Sequence, residues 1–305
     1  MDKEQLKKVK IINNSGVELI GRIYESEKKD DVLFLCPGFG GSYGALGRNF
    51  SEYAKENNMS FFWGQFRDTY SQKVVNKFDE NGNKEKIQVG ATNSCLNYSE
   101  EDFEAFFRYL DEQGYKKIQM VATCVSCSKL IKYLLENNKY SDKVESVCLM
   151  ALQDLAEIKQ KPKLAGFEEE AYFNCQNGEP FKILSRDFLG YLPISSYTYL
   201  DLCNNQEYNT IPYISNQEKL ARLKSLNIPI LFVLAQYDGS VRRFGEDAAE
   251  KFLKVCAENC QHGEYKVIEN ATHLFEGKEE LVVKAYKEFI NKKIKFNEEG
   301  VEYVQ

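Results

Sequence analysis

Short apolar runs alternate with amphipathic stretches along almost the whole chain, and few architectures accept that pattern. Asp31–Cys36, Met59–Phe66, Lys117–Ala122, Val144–Met150 and Ile228–Ala235 each read as a strand buried on both faces. Apolar spacing predicts helices over residues 45–58, from Ser99 to Gly114, from the turn at Cys124 to about Asn138, and over 244–260 and 277–292; residues 264–269 read as a further strand. Ser99-Glu100-Glu101-Asp102 resembles a capping box with Asp in the third place. Residues 7–12 and 17–24 read as an opening hairpin around Asn14-Ser15-Gly16, and residues 72–92 carry a second hairpin signal at Asn81-Gly82. Alternation of this kind implies an α/β fold, a doubly wound and mainly parallel sheet with helices on both faces.

One stretch breaks the alternation. Residues 155–215 hold no clear buried strand, yet they carry Phe167, Tyr172, Phe173, Phe181, Phe188, Tyr191, Tyr197, Tyr199 and Tyr208 among prolines and polar residues. The expected division is a core of residues 1–154 and 216–305 with residues 155–215 as a helical, aromatic-rich lid. A lid sheds water from a reaction and shapes the pocket; a set of helices packed on the sheet edge is the plainer alternative.

Composition bounds the partners. The chain has 305 residues, 43% of them hydrophobic and 28% charged, which suits one large globular core. A net charge of −6 and a pI of about 5.3 disfavour a nucleic-acid partner. No apolar run approaches the roughly 18 residues of a membrane span. The opening Met1-Asp2-Lys3-Glu4-Gln5-Leu6-Lys7-Lys8 has no apolar segment of the export-signal kind, and nine cysteines, an odd count, suggest reduced thiols; the expected location is the cytoplasm. The sequence has no phosphate-cradling glycine loop and no dinucleotide fingerprint, so no cofactor is expected. It leaves the oligomeric state open.

Chemistry concentrates in Lys117-Ile118-Gln119-Met120-Val121-Ala122-Thr123-Cys124-Val125-Ser126-Cys127. A buried strand turns into a helix with a cysteine at the bend, the layout of a nucleophile elbow, and small residues stand at Ala122 and Ser126 where the elbow's glycines would be. Farther on, the strand ending at Ala235 runs into Asp238, and the strand over 264–269 leads to His273, one of only two histidines. The order Cys124, Asp238, His273 is nucleophile, acid, base.

On these residues the chain resembles the α/β-hydrolase-fold superfamily over about residues 7–292. Cysteine at the elbow is similar to the dienelactone hydrolase branch and to some acyltransferases and thioesterases of that fold. Cys36-Pro37-Gly38-Phe39-Gly40-Gly41 resembles the family's oxyanion loop, with Pro37 in place of a histidine, which implies backbone donors at Phe39 and Val125. The family's glycine turn after the fourth strand is replaced by Arg67-Asp68-Thr69-Tyr70-Ser71. The resemblance implies acyl transfer through a Cys124–His273–Asp238 triad and an acyl-cysteine, on a small acyl substrate such as an ester or a carrier- or coenzyme A-linked thioester. A dienelactone-type lactone hydrolase and a non-catalytic ligand-binding protein of the same fold are the alternatives.

Each residue also has a competitor. Ser126 is a shifted fit for the nucleophile and Asp154 a reserve acid. Cys124-Val125-Ser126-Cys127 also spells a redox C-x-x-C, and Cys256, Cys260 and His262 have loose metal-ligand spacing, although a zinc site is not expected.

Overall fold

The computed structural model describes residues 1–28 and 30–298, the last six of these by backbone alone. Its centre is an eight-stranded sheet built from β1 (Lys7–Ile12), β2 (Glu18–Tyr24), β3 (Asp31–Cys36), β4 (Ser60–Gln65), β7 (Lys117–Thr123), β8 (Val144–Met150), β9 (Ile230–Ala235) and β10 (Gly263–Ile268), in the spatial order β1-β2-β4-β3-β7-β8-β9-β10. β1 pairs with β2, and β2 with β4, antiparallel; every other neighbour is parallel. β5 (Lys73–Phe78) and β6 (Lys84–Val89) form a separate hairpin at the expected Asn81-Gly82 turn. β3, β4 and β9 are almost wholly buried along their length, which is why they read as unbroken apolar runs.

Helices cover both faces. On one face α2 (Tyr98–Glu112), α3 (Val125–Leu135) and α7 (Ala248–Glu258) bury a core in which Phe34, Phe62, Phe66, Phe103, Phe106 and Phe107 pack ring to ring. On the other, α1 (Gly44–Glu56) and α8 (Glu279–Glu298) close over Trp63, with Phe50, Tyr53 and Tyr286 meeting edge to face. None of the helices among the described residues is long and apolar enough to cross a membrane.

The strand order fixes where a site can form. From β3 the chain winds outward to β4, then crosses back to β7 on β3's other flank and continues outward through β8, β9 and β10. The loops leaving β3 and β7 therefore part in opposite directions, and a crevice opens at the carboxyl ends of those strands.

Between β8 and β9 lie α4 (Leu155–Ile158), α5 (Phe167–Gln176) and α6 (Ser196–Asn204), with short hairpin bridges at Ile183–Ser195 and Phe188–Leu192. Phe167, Phe188, Tyr199 and Tyr208 are buried in a third cluster that also takes in Val125, so this insertion packs on the end of the elbow helix. Its inner bridge, Phe188–Leu192, encloses a three-residue turn in which Leu189 and Gly190 both have positive φ, +54° and +85°.

The Ser99–Asp102 capping box is not formed. The helix starts one residue earlier, at Tyr98, and Ser99 Oγ donates to the Leu96 carbonyl instead. The Asp102 carboxylate is buried and committed elsewhere: it accepts from Arg67 N (2.8 Å), Arg67 Nε (2.9 Å) and Asn13 Nδ2 (3.0 Å). Replacing Asp102 by Ala leaves the Arg67 Nε–H and backbone N–H without their buried acceptor and the guanidinium with only the partly exposed Glu101 as counter-ion among the described residues, and breaking a buried pair costs up to roughly 3–5 kcal/mol. Urea unfolding of Asp102→Ala should show a lower midpoint with an unchanged slope.

Candidate active site

The carboxyl edge of the sheet gathers the expected residues because parallel strands deliver their following loops to one side. Cys124 follows β7 at φ +54° and ψ −127°, a conformation that costs a non-glycine residue about 1–3 kcal/mol. It is held there by its own N–H, which donates to the Met150 carbonyl (2.9 Å), and by α3 starting at the next residue. Ala122 and Ser126 flank the bend without positive φ, so neither needs to be glycine. The close approach falls instead on Gly38, where an added Cβ would stand 2.9 Å from the Cys124 Cβ.

His273 and Asp238 come from the two outer loops. Gln236 N–H donates to Ile268 O and Tyr237 N–H to Ala271 O, both at 3.0 Å, and Asn270 N–H to Gln236 Oε1 at 2.9 Å; these bonds splice the loop after β9 to the loop after β10. The fully buried Asp238 accepts at Oδ2 from His273 Nδ1 (2.8 Å) and at Oδ1 from both the N–H (2.8 Å) and the hydroxyl (2.7 Å) of Ser240. With Nδ1–H committed to the carboxylate, the other ring nitrogen is the one that can serve Cys124, on whose sulfur the imidazole's charge acts.

The electrostatics favour an ion pair. Burial by itself pushes the Cys124 thiol up, but the His273 charge and hydrogen bond, the Val125 N–H and the charge of Lys161 reverse this and hold it below its ordinary value. Burial opposes a charge on His273, yet the Asp238 carboxylate and the Cys124 sulfur push its pKa up to about 10. Burial would also raise Asp238; His273 and the Ser240 donors bring it below the usual carboxylate range. Both shifts act toward the charged forms, thiolate on Cys124 and imidazolium on His273. The positive end of α3 adds to the first.

The loop after β3 stands against the elbow. Ser126 Oγ donates to the Pro37 carbonyl at 2.6 Å, so the rival nucleophile is buried as a strut between loop and helix. Gly40 N–H donates to Asp68 O and Tyr70 N–H to Gly41 O, at 3.0 and 3.1 Å. Asp68 in turn forms a buried ion pair with Lys129 of α3. The Arg67–Ser71 stretch thus braces the Phe39 loop from behind. Among the described residues the Phe39 N–H has no partner, and Phe39 lies with Cys124 at the half-buried margin of the insertion's core.

The other candidates go elsewhere. Asp154 is spent on the insertion's returning strand of chain, accepting from Ile214 N, Ser215 N, Ser215 Oγ and Asn209 Nδ2 at 2.7–3.2 Å. Cys127 is buried and its Sγ donates to the Ala122 and Met150 carbonyls, both at 3.4 Å. Cys256 is a core residue of α7, Cys260 Sγ contacts its carbonyl, and His262 precedes β10, at the opposite edge of the sheet from Cys124. Asp68, Lys129 and Lys161 escape a reading of the sequence, since nothing local to them marks their partners; Ser240 was missed although its partner, Asp238, lies two residues before it.

Alkylation follows the thiolate, so its rate rises with pH through the thiol's pKa. Iodoacetamide labelling, read on the Cys124 peptide because Cys175 and Cys260 are also partly exposed, should reach half its plateau below the roughly 8.5 of a free cysteine. His273→Gln removes the cation and should move that midpoint upward.

No family model and no curated protein matches this chain. Solved structures do. Est1E from Butyrivibrio proteoclasticus, with ferulic acid bound, superimposes with a TM-score of 0.65 at 14% identity, over 93% of this chain and 98% of its own. DcsB, in complex with a substrate analogue, gives 0.64 at 17% identity over 94% and 99%. The α/β hydrolase GrgF from Penicillium sp. sh18 gives 0.63 at 14% identity over 94% and 98%. With the sheet order and the elbow described above, the likeness establishes that this chain has the α/β-hydrolase fold.

Proposed function

We propose that this protein is an acyl-transfer enzyme, acting on esters or thioesters through a covalent acyl-cysteine at Cys124. The observation that carries the reading is the meeting of three residues at one sheet edge: Cys124 at a strained elbow, His273 hydrogen-bonded through Nδ1 to the fully buried Asp238, and a His273 charge that acts on the Cys124 sulfur. Est1E, with ferulic acid in its site, and an esterase of Pyrococcus furiosus that superimposes at a TM-score of 0.61 and 14% identity, over 94% of this chain and 90% of its own, support ester chemistry on this scaffold.

In this mechanism the Cys124 thiolate attacks the acyl carbon and the carbonyl oxygen takes the charge. The N–H groups of Phe39 and Val125 receive that oxyanion, each donor contributing roughly 3–4 kcal/mol in comparable sites. His273 gives its proton to the departing alcohol or thiol and then draws one from the incoming acceptor, while Asp238 keeps the ring oriented. Sulfur is a good leaving group, which suits exchange with thioesters and amines. The insertion over residues 155–215 acts as a lid: its apolar core runs up to Val125, and Leu189 packs on it beside Phe39 and Cys124, giving an apolar wall for the acyl chain.

Intact-mass measurement after mixing with a panel of esters and thioesters should detect the mass of one acyl group, mapped to Cys124 and absent in Cys124→Ala. Turnover in His273→Gln should fall by about three orders of magnitude or more. Full turnover by Cys124→Ala, or acylation at another residue, overturns the reading.

A further inference from the structure

Lys161 is a basic side chain at the carboxyl edge of the sheet that the triad does not use: its Nζ stands 3.4 Å from Gln153 Oε1, three residues beyond Met150, whose carbonyl holds the Cys124 N–H. It lies in the insertion just before Pro162, and its extended backbone (φ −70°, ψ 128°) is what a residue preceding proline adopts. Arg243, from the turn after Asp238 and Ser240, donates to the Gln160 carbonyl at 3.0 Å, tying the Lys161 segment to the loop that carries the acid. The Lys161 charge acts on both Cys124 and Asp238.

The ammonium is poorly satisfied. It is half-buried, and its hydrogen-bond neighbour among the described residues is a neutral one: Gln153 Oε1 at 3.4 Å, a long contact for an N–H···O bond. Gln153 offers it only that one neutral oxygen, since its amide nitrogen is itself a donor and is bonded to the Ala151 and Leu152 carbonyls. Lysine has three donors and no acceptor. Among the described residues Lys161 makes no ion pair, whereas the neighbouring Arg243 is matched by Glu157 and Lys159 by Glu168. A desolvated cation without a counter-ion is costly unless an anion completes it. The thiolate is not that partner by contact: among the described residues no hydrogen bond joins the Lys161 ammonium to Cys124, which becomes a neutral thioester once acylated.

We propose that Lys161 binds a negatively charged oxygen group of the substrate, so that this site selects acidic over neutral acyl donors. The inference rests on the reading of Cys124 as the acylated residue. The anion is a carboxylate on the acyl chain or a phosphate on the carrier, and either would meet the same ammonium through charge-assisted hydrogen bonds.

Two pairs of donors separate those sources. S-adipoyl- against S-hexanoyl-N-acetylcysteamine places a carboxylate on the acyl chain; S-hexanoyl-phosphopantetheine against S-hexanoyl-N-acetylcysteamine places a phosphate on the carrier. The wild-type protein should favour the acidic member of one pair in kcat/KM by on the order of tenfold. Lys161→Met should bring that ratio close to one, and Lys161→Arg should keep most of it. A wild-type ratio near one in both pairs overturns the proposal. So does a ratio that survives Lys161→Met, or an equal loss on acidic and neutral donors accompanied by an upward shift of the Cys124 alkylation midpoint. Calorimetric titration of adipate and of phosphopantetheine into Cys124→Ala, with and without Lys161→Met, reads the same contact with no acylation step. Binding that depends on Lys161 while no donor acylates Cys124 would sink the acyl-transfer reading and keep the anion site; acylation of Cys124 with no such binding and no donor preference would do the reverse.

Discussion

A backbone forced to φ +54° at residue 124 is the constraint around which this molecule is organised. The conformation is unfavourable for cysteine and persists because its surroundings over-determine it: a strand buried up to Ala122, a helix beginning at Val125, and the Cys124 N–H fastened to Met150 of the next strand. The bend lifts one sulfur out of a thiol-rich interior. Burial pushes Cys36, Cys127 and Cys256 well up and Cys203 and Cys260 to about 12, while Cys124 alone is brought down.

Rigidity around the bend comes from polar struts rather than from more apolar packing. Ser126 grips Pro37, Asp68 is paired with Lys129 of the elbow helix, and Asp102 holds Arg67 at the start of the same brace. Each of these groups is buried, so each contact forms in low dielectric and losing either partner leaves an unpaired charge or hydroxyl. The Phe39 loop is therefore held from behind, with an N–H that has no partner among the described residues, and in the proposed mechanism a donor so preorganised needs no rearrangement as charge develops.

Much of this was legible from residue order. Buried parallel strands read as continuous apolar runs, so Asp31–Cys36 and Val144–Met150 fall where the sequence places them. The trio of Cys124, Asp238 and His273 was visible because parallel strands send each successive loop to the same edge, and only two histidines compete for the third place. Illegible were the long-range partners. Asp102 looked like the third member of a local capping box and serves Arg67, 35 residues away. Asp154 looked like a spare acid and is consumed 60 residues downstream at Ile214. Lys161 gave no signal of its own, since it stands between Lys159 and Lys163 in a polar loop and is marked only by what fails to surround it.

Asp154 also explains how an aromatic insertion is carried without disturbing the sheet. Its carboxylate receives Ile214, Ser215 and Asn209, and Asn209 Oδ1 accepts the Leu155 N–H at 3.0 Å, so both stems of the excursion meet at one clasp directly beyond β8. Whatever lies between the stems is closed off from the register of β8 and β9, and the entropy of closing a loop grows only slowly with its length. The excursion can lengthen, shorten or be exchanged as a cassette, reshaping what the crevice admits while the scaffold beneath keeps its form.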